Sequence, residues 1–240
     1  MSMDQRIDQV GARLVDAVAR HPAATFASSF GAEDMVVLDL IHRLRLDVEI
    51  FTLDTGRLHE QTHALIARAR QRYGRPVRVF CPDADELERY VAAHGNNAFY
   101  DSVALRKRCC EIRKLAPLRR ALQGKALWIT GLRRGQSHAR SDADLLAFDA
   151  VNGLMKLNPL VDWSDADVWS YVERHDVPVN ALHAQGFPSI GCAPCTRAVT
   201  PGEDARAGRW WWEQAGAREC GLHVDAQGRL VRAGGAAAAR

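Results

Sequence analysis

Long hydrophobic runs, a strong net charge and a dense set of cysteines are all missing from the sequence, and each absence excludes a class of protein. No apolar run approaches the roughly 18 residues of a transmembrane helix, so we expect no membrane-spanning segment. With 32 basic and 29 acidic residues the formal net charge is only +3, so bulk charge gives no reason to expect nucleic acid or a membrane as a partner. The first eight residues include two aspartates where a signal peptide has its apolar stretch, so we expect a cytoplasmic protein.

The six cysteines are too sparse for a secreted disulfide scaffold, and in the cytosol they would stay reduced. Their positions form a pattern: Cys81, the tandem pair Cys109-Cys110, the spaced pair Cys192-x-x-Cys195, and Cys220. Four reduced thiols in two pairs indicate a metal centre. Cys81 directly precedes Pro82 and has no partner in sequence, so we expect a buried thiol at a strand end.

Short β-like runs alternate with longer helical patterns through most of the chain. Strands are predicted over 24–29, 48–53, 77–80 and 126–130, and helices over 33–46, 59–73, 83–93, 101–122 and 163–175. Alternating strands and helices predict βαβ units on a mostly parallel sheet, which is an α/β fold. Asn152-Gly153 is a hairpin signal between two apolar runs, so it predicts an antiparallel strand near the sheet edge.

The character of the sequence changes after Pro178, because glycine, proline and arginine become frequent. We expect one α/β domain over residues 1–185, followed by a mobile C-terminal segment over 186–232 that carries the Cys-x-x-Cys motif and Cys220. Residues 233–240 are almost all alanine and glycine, so we expect a disordered tail there.

Three of the predicted strands end in residues suited to ligand binding, over 28–34, 53–57 and 131–140. Ligands of open parallel sheets bind beyond the carboxyl ends of the strands. Gly31 precedes a predicted helix, so backbone N–H groups there could approach an anion. Glu33 and Asp34 would repel that anion, and a capped helix start explains this motif equally well.

Positive charge is concentrated between Leu105 and Arg140, where eleven lysines and arginines accompany a single acid, Glu111. The run fits the solvated face of a basic helix. It also fits a nucleic-acid surface, although the interleaved aromatic residues of such a surface are missing. A third interpretation is a site for a small anion with several charges, since arginine forks match phosphate and sulfate oxygens.

The paired cysteines suit either zinc or an iron–sulfur cluster. Zinc ribbons normally use two Cys-x-x-Cys turns, and a tandem pair on a helix does not form one, so zinc fits less well. Cys220 stands apart, beside Arg218 and His223. A thiol on an exposed segment near positive charge could have a lowered pKa and act as a nucleophile, although an incidental surface cysteine is the simpler explanation of that residue alone.

Taken together, these motifs resemble the assimilatory adenylyl-sulfate (APS) reductases. The segments that carry the resemblance are 52–58, 109–118, 130–137, 191–197 and the Glu-Cys-Gly-Leu-His motif at 219–223. The resemblance extends from about residue 24 to residue 223. It implies a Rossmann-like, mostly parallel sheet of the adenine-nucleotide α-hydrolase type, in which residues 1–185 bind the nucleotide.

The resemblance also implies an activity and a role for each of a set of residues. Such enzymes reduce APS to sulfite and AMP with electrons from thioredoxin. The nucleophile would be Cys220, assisted by Lys114 and His223. A [4Fe–4S] cluster would be held by Cys109, Cys110, Cys192 and Cys195. Adenosine and its phosphate would be bound by Ser28, Ser29, Gly31, Leu53 and Gly131, and the sulfate by Lys114, Arg140, Arg206, Arg209 and His223.

Three alternatives remain open on the sequence. A phosphoadenylyl-sulfate (PAPS) reductase would share the fold and the terminal cysteine, but typically lacks the four cluster cysteines. An ATP-dependent tRNA thiolase on this fold would carry Ser-Gly-Gly-Lys-Asp-Ser, whereas residues 29–34 here contain no lysine. A zinc-stabilised nucleic-acid-binding module is the non-catalytic alternative. The sequence is also compatible with a homo-oligomer.

Overall fold

A six-stranded sheet forms the centre of the protein in a computed structural model that describes residues 1–137 and 140–213. The strands are β1 (Ala24–Ala27), β2 (Glu49–Leu53), β3 (Val77–Phe80), β4 (Leu127–Ile129), β5 (Leu146–Asp149) and β6 (Leu154–Leu157). Their spatial order is β3-β2-β1-β4-β6-β5. Neighbouring strands are parallel except β5 and β6, which form an antiparallel hairpin at the edge.

Seven α-helices accompany the sheet in the described residues. They are α1 (Met3–Arg20), α2 (Ala32–Arg43), α3 (Glu60–Tyr73), α4 (Ala84–His94), α5 (Val103–Cys110), α6 (Ala116–Leu122) and α7 (Asp165–Arg174). Local sequence sets several of their ends. Ser164 and Asp167 form a reciprocal capping box at the start of α7. Gly74 adopts the left-handed conformation, with φ 59°, that ends α3.

The core lies between the central strands and the helices that cover them. Phe26 on β1 and Leu127 on β4 are fully inaccessible to solvent, as are Val36 and Ile41 on α2. Strands of a parallel sheet covered by helices are buried on both faces, which explains why β1 and β4 are apolar and short of charged residues.

The predicted α/β fold with a mostly parallel sheet is confirmed, and so is the antiparallel hairpin at its edge. Four details are wrong. The helix predicted over 33–46 ends at Arg43. The first strand ends at Ala27 rather than at residue 29. The predicted helix over 101–122 consists of α5, a π-helical turn (Glu111–Leu115) and α6. Cys81 is exposed rather than buried.

The order of the strands places a crevice where the chain reverses direction across the sheet. From β1 the chain adds β2 and then β3 on one side, and it returns to add β4 on the other side. Loops that leave β1 and β4 therefore diverge, and this switch point is where open α/β sheets bind ligands. In the described residues, none of the helices combines the length and the apolar character needed to span a bilayer.

Candidate active site

A cavity of about 510 Å³ lies at the carboxyl ends of β1, β2 and β4, and we call it the polar cavity. It is lined by eight of the residues predicted from the sequence to bind the substrate: Ser28, Ser29, Gly31, Leu53, Gly131, Arg140, Arg206 and Arg209. Lys114 lines it as well. The structure thus brings together residues from the three predicted strand ends and from the segment after residue 186.

The turn after β1 is held by a buried carboxylate. The backbone N–H and the hydroxyl of Ser29 both donate to Asp34, at 2.6 and 2.7 Å. Phe30 has a positive φ of 61°, and its N–H donates to the hydroxyl of Ser28. Burial raises the pKa of Asp34 to about 6, and the hydrogen bonds from Ser29 offset part of that rise. Asp34 therefore shapes the wall of the polar cavity.

Gly131 is required where β4 passes the start of α2. A side chain at this position would overlap the Asp34 carboxylate, and its Cβ would lie 3.0 Å from the backbone nitrogen of Asp34. The absence of a Cβ lets the end of β4 approach the start of α2. The backbone of Gly131 is consequently part of the cavity lining rather than being screened by a side chain.

The charge of Glu33 is also compensated inside the protein. Arg133 donates to it from Nε and Nη2 at 3.0 and 2.7 Å, and Gln136 donates to it at 2.9 Å. Gln136 in turn accepts a hydrogen bond from Arg140. The sequence analysis weighed Glu33 and Asp34 against an anion site, and these contacts remove much of that objection because both carboxylates are committed to partners.

Cations define the other end of the polar cavity. Arg209 is only 6% exposed, and its guanidinium lies 4.7 Å from the centre of the Trp210 ring. A side chain at Gly191 would overlap that guanidinium, so the glycine makes room for it. The Nε atom of Arg209 is buried without a hydrogen-bond partner among the described residues. A buried, unsatisfied N–H of a cation that lines a cavity suits an anionic ligand.

The four paired cysteines line a second, smaller cavity, which we call the cysteine cavity. Cys109 and Cys110 reach it from the end of α5. Cys192 and Cys195 reach it from a 3₁₀ turn (Ala193–Cys195) and the residue before it. The remaining lining is cationic or apolar: Arg57, Phe99, Arg106, Arg113, Lys114, Pro194 and Trp210.

The π turn explains how a tandem pair and Lys114 reach one place. Pro117 lies just beyond it and has no N–H to donate to the carbonyl of Arg113, while its ring crowds that carbonyl. The helix therefore widens after Cys110 instead of continuing regularly. Pro117 inside a helical pattern was the sequence signal that could have predicted this irregularity.

The thiols of the cysteine cavity differ in pKa. Burial would raise the pKa of Cys192, but Lys114, the hydroxyl of Thr55 at 3.3 Å and Arg209 outweigh it, so that pKa is lowered. Burial and the neighbouring Cys192 raise the pKa of Cys195 to about 12. Four thiolates crowded into one buried space repel one another unless positive charge lies among them.

This donor set decides which metal groups fit. Over residues 1–137 and 140–213, no group of three or more His, Cys, Asp or Glu side chains is arranged to hold a single metal ion. Four thiols around one cavity, flanked by arginines and a lysine, are instead the donors that an iron–sulfur cluster uses, and the cations suit its negative charge.

Comparison with known proteins places the chain in a family. Residues 23–198 match the phosphoadenosine phosphosulfate reductase domain. The chain belongs to this family. The resemblance to APS reductases is thereby confirmed at the family level, and similar proteins carry that name. The adenosine 5'-phosphosulfate reductase of Burkholderia cepacia is 52% identical over 219 residues, which cover 91% of this chain and 88% of that protein.

Two further proteins with the same name are similar to this chain. The protein from Allochromatium vinosum is 54% identical and covers 82% of this chain and 77% of its own length. The protein from Neisseria meningitidis serogroup B is 48% identical, and the match covers 92% of this chain and 91% of that protein. Among solved structures, a phosphoadenylyl-sulfate reductase from Candida auris in complex with phosphate has a TM-score of 0.68 at 25% identity, covering 82% of this chain and 96% of its own.

Two of the predicted catalytic residues of this family member, Cys220 and His223, lie outside the described residues. The third, Lys114, lines both cavities, and it is the single residue common to both among the described ones. Two residues beside the paired cysteines were not predicted as site residues. Thr55 contacts Cys192, and Arg106 is 2% exposed and pairs with Glu213. No sequence signal separates Arg106 from the other ten basic residues of its run.

Proposed function

We propose that this chain reduces adenylyl sulfate to sulfite and AMP, with thioredoxin as the electron donor. The observation that carries the proposal is the junction of the two cavities at Lys114. The polar cavity is suited to a nucleotide that carries a charged group. It shares one cation, Lys114, with the cavity that the four cysteines line. The names of the relatives at 48–54% identity support the same substrate.

In the proposed reaction the polar cavity holds AMP and directs the sulfate toward Lys114. The N–H groups of Ser28, Ser29 and Phe30 already donate within the protein, so in this turn the N–H of Gly31, at the start of α2, would bind a phosphate or ribose oxygen. Gly131 would line the cavity beside it. Arg206 and Arg209 would neutralise the phosphosulfate oxygens. Approach of a thiolate to this group brings two anions together, so fixed cations are needed where charge accumulates.

Cys220 is the proposed nucleophile. Its thiolate attacks the sulfur atom of the sulfate and forms an S–S bond, while the bond from that sulfur to the bridging phosphate oxygen breaks. The electron pair leaves with AMP. The enzyme then carries an SO₃⁻ group on Cys220, and the cations that lined the sulfate stabilise the AMP phosphate as it departs.

Thioredoxin completes the proposed cycle by thiol–disulfide chemistry. One of its thiolates attacks the sulfur of Cys220, sulfite leaves, and a mixed disulfide forms. The second thiol of thioredoxin resolves that disulfide and regenerates the Cys220 thiolate. Two electrons pass from the dithiol to the SO₃ unit, so no other reductant is required.

We also infer that Cys109, Cys110, Cys192 and Cys195 hold a [4Fe–4S] cluster. When bound, it would supply compact negative charge that orients Lys114 and the neighbouring arginines. Arg113 supports this arrangement from the protein side, because it is buried and donates to the carbonyl of Thr55 at 2.6 Å. Lys114 then presents its ammonium group to the polar cavity.

Sulfite release with each candidate substrate tests the proposal. With reduced thioredoxin, we expect a kcat/KM for APS about 100-fold or more above that for PAPS. PAPS carries an additional phosphate where APS has a free ribose hydroxyl, and we expect the cavity to fit the hydroxyl. Turnover of PAPS at the higher rate would favour the function named for the Candida auris relative. Sulfite release from neither substrate would refute both.

A further inference from the structure

A buried ion pair joins the end of the described chain to the helix that carries the tandem cysteines. Arg106 on α5 donates to Glu213 from Nε and from Nη2, both at 2.8 Å. The two side chains are 2% and 9% exposed. The guanidinium also lies 4.9 Å from the centre of the Trp210 ring, so it is held on its face as well as at its edge.

Arg106 lies between two parts of the proposed machinery. It lines the cysteine cavity and hydrogen-bonds the side chain of Cys110, one turn further along the helix. Its other partner, Glu213, is seven residues before Cys220 in the sequence. Seven residues span at most about 25 Å when fully extended, so the position of Glu213 limits where Cys220 can reach.

Stability alone is a poor explanation for this pair. Two charges lose their hydration when they are buried, and well-packed apolar residues often serve a core equally well. Arg197 and Glu203 form a pair with the same two-point geometry, but their side chains are much more exposed. Such a pair can therefore form without the cost of burying both charges. What the buried pair adds is a fixed attachment point for the chain that continues toward Cys220.

We propose that Arg106 and Glu213 are positioning residues for the nucleophile. Together they fix Glu213, from which the chain continues toward Cys220, against Arg106 in the lining of the cysteine cavity that Lys114 also lines. This inference rests on the proposed function, because it takes Cys220 to be the nucleophile. It assigns no bond-making role to either residue.

Single-turnover formation of the Cys220 sulfonate tests the inference, with the full chain, APS and no reductant. In Glu213→Gln we expect its rate at saturating APS to fall roughly 10–100-fold, because small misplacements of a reacting group are costly. Affinity for AMP, measured by calorimetry, should stay within about twofold, since AMP would occupy the polar cavity. The control Glu203→Gln breaks the exposed pair and should change neither quantity.

Arg106→Lys provides a second variant that keeps the charge but loses the two-point fork. We expect an intermediate rate and unchanged AMP affinity. An unchanged rate in both variants, or a parallel loss of AMP affinity and melting temperature, would overturn the positioning role. Absence of any sulfonate in the wild type would instead overturn the proposed function, and this inference with it.

Discussion

The two cavities that meet at Lys114 are built in different ways. The polar cavity lies at strand ends, so it follows from the order of the sheet, and its acids, Glu33, Asp34 and Asp165, all accept hydrogen bonds within the protein. The cysteine cavity is formed by local irregularities, the π turn and a 3₁₀ turn, and among the residues that the structure describes its lining contains cations but no acid. The first is a property of the fold, whereas the second depends on a few residues of this chain.

This difference separates the two tasks in the proposed reaction. A strand-end cavity with compensated acids can bind a nucleotide in many proteins of this architecture. The cysteine cavity brings positive charge, through Lys114, to the edge of that site. We therefore expect the rate of the reaction to depend most on the residues where the cysteine cavity adjoins the polar cavity.

The largest expected effect concerns the cysteine cavity alone. Cys195→Ser should remove the iron and acid-labile sulfide of the purified protein, because one of four thiolate ligands is lost. Cys81→Ser is the matched control, since Cys81 is exposed and outside both cavities, and its iron content should equal that of the wild type. A colourless wild-type protein with one zinc per chain would contradict the cluster.

Lys114→Ala breaks the connection between the cavities. We expect kcat/KM for APS to fall roughly 100–1,000-fold, because a cation facing the developing charge is removed. Lys107→Ala removes an exposed lysine of the neighbouring helix, so it should have little effect. Comparable losses in the two variants would show that general positive charge, rather than the shared position, is what matters.

Gly131→Ala tests the packing of the polar cavity. The added methyl group would overlap the Asp34 carboxylate, so we expect a loss of roughly 1–3 kcal/mol in the free energy of unfolding, together with weaker AMP binding. Gly11→Ala adds the same group on α1 at an ordinary 3.6 Å from Leu44, and it should be neutral or slightly stabilising. Denaturant titration of both variants makes the comparison, and equal stability would contradict the close approach.

The last expected effect, similar in size to the stability loss of Gly131→Ala but without a change of residue, is the pH dependence that Asp34 contributes. Its pKa is raised by burial from 3.8 to about 6, so the folded chain holds this proton more tightly than the unfolded chain does. Stability should therefore fall as pH rises through that window. Relative to Asp34→Asn, the wild type should lose about 2 kcal/mol between pH 4 and pH 7, measured by urea unfolding. A pH-independent difference between the two proteins would contradict the burial of this acid.

Sequence patterns predicted the parts of the molecule that depend on near neighbours. Alternating apolar runs located the strands, and the Ser164 capping box located the start of α7. Glycines and serines at strand ends led to the polar cavity. The assignment of the four cysteines to one site required a known family pattern. Residues 110 and 192 are distant in sequence, and only the fold brings them to the same cavity.

The features that escaped prediction depend on contacts between distant residues. Arg133 and Glu33 are 100 positions apart, and Arg106 and Glu213 are 107 apart. Nothing in the local sequence distinguishes such arginines from those on a solvated helix face. The π turn also escaped prediction, although it depends on near neighbours and Pro117 could have indicated a break in the helix from the sequence alone.

The most direct test of the central claim is mass spectrometry of the protein after mixing with APS in the absence of reductant. The account predicts one SO₃ unit per chain on the peptide that contains Cys220, with release of one AMP. Addition of reduced thioredoxin should then remove that unit as sulfite. AMP release without an adduct, or an adduct on any other cysteine, would contradict it.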